Sequence, residues 1–141
     1  MVKVERAAKA LIRRATDGRY LMLTCSPWPE NPRRSQKPDL PGGEIEAGEQ
    51  IEEGLLREVY EETGIVLSEQ SLQLGYCFTR FDAGISTSFL LYVADIPQDI
   101  DIVLSWEHES FQWLTADEVL GLSIRRPYTE MFRHLALVGL L

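Results

Sequence analysis

The 141-residue chain is expected to form an α/β fold, a mixed β-sheet covered on both faces by helices in an α/β/α sandwich. Two observations lead there. Segments with two-residue apolar alternation are interrupted by segments with helical periodicity, and the length suits a core built without disulfides or structural metals. Residues 1–141 are therefore read as one domain.

Val2, Val4, Ala8, Ala10 and Ile12 alternate with charged neighbours, which predicts a first strand reaching about Arg13. Thr16-Asp17-Gly18 is a turn signal, and residues 20–24 read as the returning strand of a hairpin. Between Ser26 and Pro41 five prolines break any period, so this is a long loop, a length more often functional than ornamental. Helical periodicity begins near Glu49 or Gln50 and ends at Gly64, a residue suited to a left-handed cap. Residues 72–81 and 87–96 read as two longer strands joined by a turn at Asp82-Ala83-Gly84. Residues 111–114 read as a shorter strand, Thr115-Ala116-Asp117-Glu118 as the capped start of a short helix, and residues 129–138 as a final amphipathic helix.

Cys25 and Cys77 show no metal-ligand spacing and are read as small buried residues rather than a pair. No run approaches the ~20 apolar residues of a membrane span. The N-terminal stretch, interrupted by Lys3, Glu5, Arg6 and Lys9, lacks the apolar centre of a signal peptide, so a cytoplasmic, reducing setting is the expectation. The absence of a broad basic stretch argues against a long nucleic acid as partner. The apolar run 135–141 is left open between internal packing and a dimer interface, and the chain is expected to be a monomer or homodimer.

The formal charge of -8 comes from 22 acidic and 14 basic residues. Nearly all of it lies in GEIEAGEQIEEGLLREVYEETGI, from Gly43 to Ile65, where eight glutamates accompany one arginine, Arg57. A local cluster of carboxylates asks for a cation. At about 100° per residue, with Glu58 at zero, Ile51, Leu55 and Val59 fall at about 20°, 60° and 100° and define the buried face. Glu62 falls at about 40° and Glu61 at about 300°, so carboxylates border or enter the apolar stripe. Glu58 and Glu62 stand four apart, where like charges repel, and only Arg57 offers compensation, to Glu53 and Glu61. The pattern alone leaves two readings open, a metal site or a solvated glutamate-rich helix. Oxygen donors without histidine or cysteine would favour Mg²⁺, with Mn²⁺ as substitute, over zinc.

Gly43, five residues, Glu49, seven residues and Arg57-Glu58-Val59-Tyr60-Glu61-Glu62-Thr63-Gly64-Ile65 together resemble the Nudix box, with every defining position filled. Leu40-Pro41-Gly42-Gly43 is similar to the lead-in of that family. The resemblance covers about a fifth of the chain and implies the Nudix fold and a Mg²⁺-dependent hydrolase acting on a nucleoside diphosphate linked to another moiety. It implies Glu58 and Glu62 as principal metal ligands, Glu61 as a ligand or water-mediated base, and Arg57 as their orienting partner. Glu49, about 180° from Glu58 on a regular helix, would anchor the loop or Arg57. A carbonyl of Gly42 or Gly43 would complete the metal shell, glycine permitting close backbone approach. Gly64 closes the helix. The resemblance also implies a base or extra ligand outside the box, for which Glu107 is preferred to Glu109; His108 is read as an exposed loop residue rather than a phosphate contact.

Arg33, Arg34 and Lys37 precede the glycines and are candidate phosphate contacts. Trp28 is the candidate stacking face for a base, with Tyr76 or Phe78 behind it and Phe89 and Tyr92 assigned to the core. Glu44, Glu46, Glu52 and Glu53 are assigned to solvated charge. A small-molecule nucleotide is the expected partner, and a MutT-like nucleoside triphosphate pyrophosphohydrolase of house-cleaning type is the leading expectation. Nucleotide-sugar, ADP-ribose and dinucleoside polyphosphate hydrolases, and a non-catalytic nucleotide-binding module, are the alternatives. The intact glutamates weigh against the last, and the strand contexts of both cysteines against an isoprenoid diphosphate isomerase.

Overall fold

The structure, a computed structural model, describes residues 1–141. β1 (Lys3–Arg14) and β2 (Arg19–Cys25) form the expected first hairpin. Its turn is closed by Asp17, which accepts from the Arg14 guanidinium at 2.6 and 3.0 Å and from the Arg19 N–H at 3.2 Å. The proline-rich loop ends in two short strands, β3 (Pro38–Asp39) and β4 (Gly42–Glu44), and leads into α1 (Ile51–Thr63). β5 (Gln73–Asp82) and β6 (Ile85–Ile96) form the second hairpin, followed by β7 (His108–Leu114), α2 (Ala116–Leu120) and α3 (Tyr128–Leu137). A reciprocal capping box between Thr115 and Glu118 starts α2. β7 begins three residues before the expected Phe111 because its pairing with β2 continues across a bulge to Cys25 and His108.

The sheet is mixed and runs β3-β2-β1-β6-β5, with β4 added to β1 and β7 to β2. β1 and β6 are parallel from Lys3↔Ile85 to Arg14↔Ile96, while the other pairings are antiparallel. β1 meets β2 only at Arg13↔Tyr20 and Arg14↔Arg19, and its residues 7–9 pair with β4 instead. The two strands thus diverge, and the fork between them receives β3, β4 and the residues they carry. Gly42 makes the approach possible: its φ is +129°, and a Cβ there would lie 2.2 Å from the Ala8 carbonyl oxygen.

Two-residue alternation sends successive side chains into two cores. Ala8, Ala10, Ile12, Leu21 and Leu23 pack with Leu55 and Val59 of α1. Leu11, Tyr20 and Met22 face the other way and pack with Val119, Met131, Phe132 and Leu135 of α2 and α3. This is the α/β/α sandwich. Cys25 is buried as expected, but Cys77 is exposed. It lies on edge strand β5, between Tyr76 and Phe78, which pack towards the second core and leave Cys77 on the uncovered side. Of the apolar tail, Leu135, Leu140 and Leu141 pack into or against the second core, whereas Leu137 and Val138 are exposed. No helix is long and apolar enough to cross a membrane.

Phe132 is 2% exposed at the centre of the α3 contact. Phe132→Ala is expected to lower unfolding free energy by about 3–5 kcal/mol in urea titrations. A loss below about 1 kcal/mol would mean that α3 is not anchored as described.

Candidate active site

α1 follows Gln50 at its N-cap, carries Glu52 and Glu53 in its first turn, where the helix dipole favours negative charge, and is capped by left-handed Gly64, whose N–H bonds the Tyr60 carbonyl. Leu55, Val59 and Glu62 are buried on one face, so Glu62 enters the apolar stripe as its angle predicts. Its Oε2 accepts from the Gly42 N–H at 3.1 Å, and its buried Oε1 makes no hydrogen bond. Burial pushes the Glu62 carboxyl up to about 8, opposed by Lys9 and the Gly42 N–H and reinforced by the charges of Glu107 and Glu58. Glu58 stands against Gly43, where a Cβ would come within 3.3 Å of its carboxyl carbon. The lead-in glycines therefore bring backbone against both carboxylates.

Arg57 does not pair with Glu53. Its Nε and Nη2 donate to the two oxygens of Glu49 at 2.8 and 2.9 Å, and its Nη1 reaches Glu58 at 3.3 Å and Glu61 at 3.2 Å. A bidentate fork to a carboxylate outside the helix prevails over a single i,i−4 contact. Gly54 permits it, since a Cβ there would sit 2.8 Å from Glu49 Oε1. The Arg57 hydrogen bonds, with the Glu46 N–H, hold the Glu49 carboxyl down at about 2. Glu52, expected to be solvated, instead accepts from the Tyr92 hydroxyl at 2.8 Å, because the otherwise buried Tyr92 needs a partner for that group. Glu44, Glu46 and Glu53 are exposed as expected.

Behind the glutamates lies a cluster absent from the sequence reading. Asp39 is fully buried. It pairs with Lys9 at 3.3 Å, Arg34 at 3.4 Å, Arg125 at 3.2 Å and His108 Nε2 at 3.0 Å, and accepts from the Tyr128 hydroxyl at 3.3 Å. Burial alone would raise the Asp39 carboxyl. Lys9 first, then the His108 hydrogen bond and the Arg125 charge, outweigh it and hold the group well below the usual range. Lys9 also donates to the carbonyls of Leu40 and Gly42, each at 3.0 Å.

His108 is not the exposed loop residue expected; it is 3% exposed. The segment before β7 crosses the end of α1, with Val103 N–H bonding the Thr63 carbonyl and Ser105 N–H the Glu62 carbonyl, and this carries His108 inward. There His108 Nδ1 faces Glu62 Oε1 at 3.5 Å. Cys25, Asp39 and His108 offer ligand atoms within 4.8 Å of one another. Asp39 is already neutralised by three side-chain cations, so this trio fits a hydrogen-bond network better than a metal centre.

Glu107 is partly buried and close enough for its charge to raise Glu62, whereas Glu109 is exposed and receives a bond from Gln36. Arg33 and Arg34 line a cleft of about 320 Å³ together with Lys9, Gly43, Arg80 and Arg125. Trp28 lies instead in a smaller cavity of about 170 Å³ with Trp106, Glu107 and Arg34, and Lys37 lines neither. Phe89, assigned to the core, lines the larger cleft. Sequence reasoning missed Lys9, Asp39, Arg80 and Arg125. A lysine inside the apolar run Ala7-Ala8-Lys9-Ala10-Leu11-Ile12, and an aspartate between Pro38 and Leu40, were signals for the first two.

Against known proteins, no curated sequence matches the chain. The chain belongs to the NUDIX domain family, whose model matches residues 3–135. Among solved structures it resembles the MutT protein from Methanosarcina mazei Go1 at TM-score 0.81 and 24% identity, covering 98% of this chain and 96% of that one. A C. elegans Ap4A hydrolase, solved as a binary complex, matches at TM-score 0.67 and 22% identity, covering 96% and 98%. The NUDIX domain of Shewanella oneidensis NrtR, complexed with ADP ribose, matches at TM-score 0.75 and 16% identity, covering 99% and 90%. These likenesses concern the fold.

Asp39→Asn should lower stability by about 3–5 kcal/mol, read in urea titrations, because it leaves buried cations uncompensated. A second expectation concerns pH. Because the Glu49 carboxyl sits at about 2 when folded against an ordinary 4.5, its contribution is complete above about pH 4.5 and fades as pH falls towards 2. The thermal midpoint advantage of the wild type over Arg57→Leu should therefore shrink between about pH 5 and pH 2. An advantage constant over that range would sink the Glu49–Arg57 assignment.

Proposed function

We propose that this protein is a Mg²⁺-dependent nucleoside triphosphate pyrophosphohydrolase of MutT-like house-cleaning type. In this reading residues 1–141 are one catalytic domain. The observation that carries it is Glu62, a buried carboxylate with one oxygen unpartnered, which accepts from the Gly42 N–H, while Glu58 stands against Gly43, a residue that also lines the arginine-rich cleft.

The donor set fits a hard divalent cation. Glu58, Glu61 and Glu62 supply carboxylate oxygens only, and a buried acid with a free oxygen is one that a cation would ionise in place. Gly43 is the better placed of the two glycines to add a carbonyl, because the Gly42 carbonyl already accepts from Lys9. When bound, Mg²⁺ would neutralise charge growing on the diphosphate oxygens and make a bound water more acidic.

The chain's own residues do the rest. Arg57, fixed by Glu49, holds Glu58 and Glu61 in one orientation and so pre-organises the set. Glu61, about half exposed, would accept a proton from water, with Glu107, close enough for its charge to act on Glu62, as the alternative acceptor. Arg33 and Arg34 would contact phosphate oxygens, and Trp28 would offer its ring to the base; Lys37 stands farther off and would act only through charge. Mn²⁺ would substitute for Mg²⁺, as both accept oxygen donors.

Incubation with a panel of nucleoside triphosphates, dinucleotides and nucleotide sugars should give Mg²⁺-dependent release of nucleoside monophosphate and pyrophosphate from the triphosphates, abolished by chelator. Glu62→Gln should lower kcat at least about a hundredfold. It should also end the stabilisation that Mg²⁺ gives the wild type. Unchanged turnover in Glu62→Gln, or nucleotide binding without any turnover, would overturn the reading.

A further inference from the structure

We propose that the free edge of β5 is a self-association surface, on which two copies of this chain pair their β5 strands antiparallel about a two-fold axis at Thr79 and so join their sheets into one.

β5 is an edge strand, flanked by β6 on one side only. The turn between them has two residues, Ala83 and Gly84, with φ of +49° and +79°. Such a hairpin is closed by a hydrogen-bonded pair, here Asp82↔Ile85. Alternation from that pair directs the N–H and C=O groups of Asp82, Arg80 and Phe78 to β6, and those of Cys77, Thr79 and Phe81 outward. No turn, loop or cap elsewhere in the chain takes up these outward groups. From Tyr76 to Asp82 the pairing with β6 is regular, the bulge falling before it, between Leu74 and Tyr76. This stretch holds no proline and no lysine, residues that commonly blunt an edge. Its one cation is drawn back over the sheet, with the Arg80 guanidinium 5.6 Å from the Phe89 centroid. The opposite edge, β7, differs: its register shifts at Cys25 and it carries Glu109.

The occupant is a second copy because the strand complements itself. With the axis at Thr79, Thr79 opposes Thr79 and Cys77 opposes Phe81 twice, three hydrogen-bonded pairs carrying about six backbone bonds. Between them Phe78 faces the partner's Arg80 twice, a cation against a ring, and Tyr76 faces the partner's Asp82. No like charges are opposed. An axis at Arg80 would set Arg80 against Arg80, and an axis at Phe78 would set the bulged Gly75 against Phe81 and Leu74 against Asp82. Phe81, 65% exposed, gains cover. The stretch Gly43 to Ile65, which carries most of the charge of -8, contributes nothing to the paired strands. The contact also reaches the site. Arg80 lines the arginine-rich cleft, and Tyr76, Phe78 and Arg80 line a neighbouring hollow of about 310 Å³ with Arg126, Pro127 and Glu130. The partner's Arg80, opposite Phe78, would enter at this hollow, where Glu130 supplies a carboxylate.

Measurements on the full chain test the proposal. Sedimentation equilibrium from about 1 to 100 µM should show the mass rising from 16.1 kDa towards twice that value. Thr79→Pro, which removes an outward N–H and spares the β6 ladder, should weaken association at least about tenfold. Phe81→Lys, which charges the edge and leaves the hairpin backbone unchanged, should do the same even where Thr79→Pro fails to fold. The register has its own test. Residues of a hydrogen-bonded pair stand about 5.5 Å apart at Cα, within disulfide reach. Phe81→Cys should therefore give an oxidised dimer on non-reducing gels, abolished by adding Cys77→Ser. A mass of 16.1 kDa at every concentration overturns the proposal, even where the edge binds some other extended peptide. So does a dimer that both edge variants leave unchanged, or one in which Phe81→Cys gives no cross-link dependent on Cys77.

Discussion

The structure depends on the neutralisation of Asp39. An ionised carboxylate removed from water is penalised by several kcal/mol unless it is paired and hydrogen-bonded. Here the compensation is drawn from all over the chain: Lys9 from β1, Arg34 from the proline-rich loop, His108 from the start of β7, and Arg125 and Tyr128 from the entry to α3. None of these segments can move far without exposing an unpaired charge in the interior. The fork between β1 and β2 is thereby held at a fixed width, and Lys9, bonded also to the carbonyls of Leu40 and Gly42, clamps the backbone that enters the site.

Two buried carboxylates lie on either side of His108 and are set in opposite states. Asp39 has several cationic partners and its acidity is strengthened, whereas Glu62 has one backbone N–H and a distant ammonium and its acidity is weakened. The difference separates scaffold from site. Asp39 is complete as it stands, and Glu62 Oε1 is left with no hydrogen bond within the protein. Environments that push two like groups apart are a common mark of a working site, and His108 is bonded to Asp39 alone, its Nδ1 only facing Glu62 at 3.5 Å.

Much of this was legible in the sequence because it rests on local rules. The helix from Ile51 to Gly64, its buried face and the intrusion of Glu62 follow from 3.6-residue periodicity, and both hairpins follow from alternation and turn residues. What escaped depends on contacts between segments far apart in the chain. Lys9, Asp39 and His108 each break the pattern of their own neighbourhood, but the reason appears only when β1, β3 and β7 meet. Glu52 was misread for the same cause, since Tyr92 lies forty residues away. Arg80 and Arg126 carry no local signal at all, as exposed arginines on a strand and in a connection are ordinary.

Charge in this molecule is divided rather than spread. The acidic face of α1 and the basic wall of the cleft adjoin at Gly43 and Glu44, so opposite potentials face one another across a few residues of β4. Arg57 is the one basic residue within the acidic stretch, and it is consumed by Glu49, Glu58 and Glu61. The cleft arginines cannot take its place, because those nearest the fork are consumed by Asp39. Internal pairing therefore removes the cations that would otherwise quench the glutamates, and leaves the two fields side by side. A polyanion approaching through the basic cleft would bring its phosphates to the edge of the acidic face, where only a divalent cation between them makes the contact favourable.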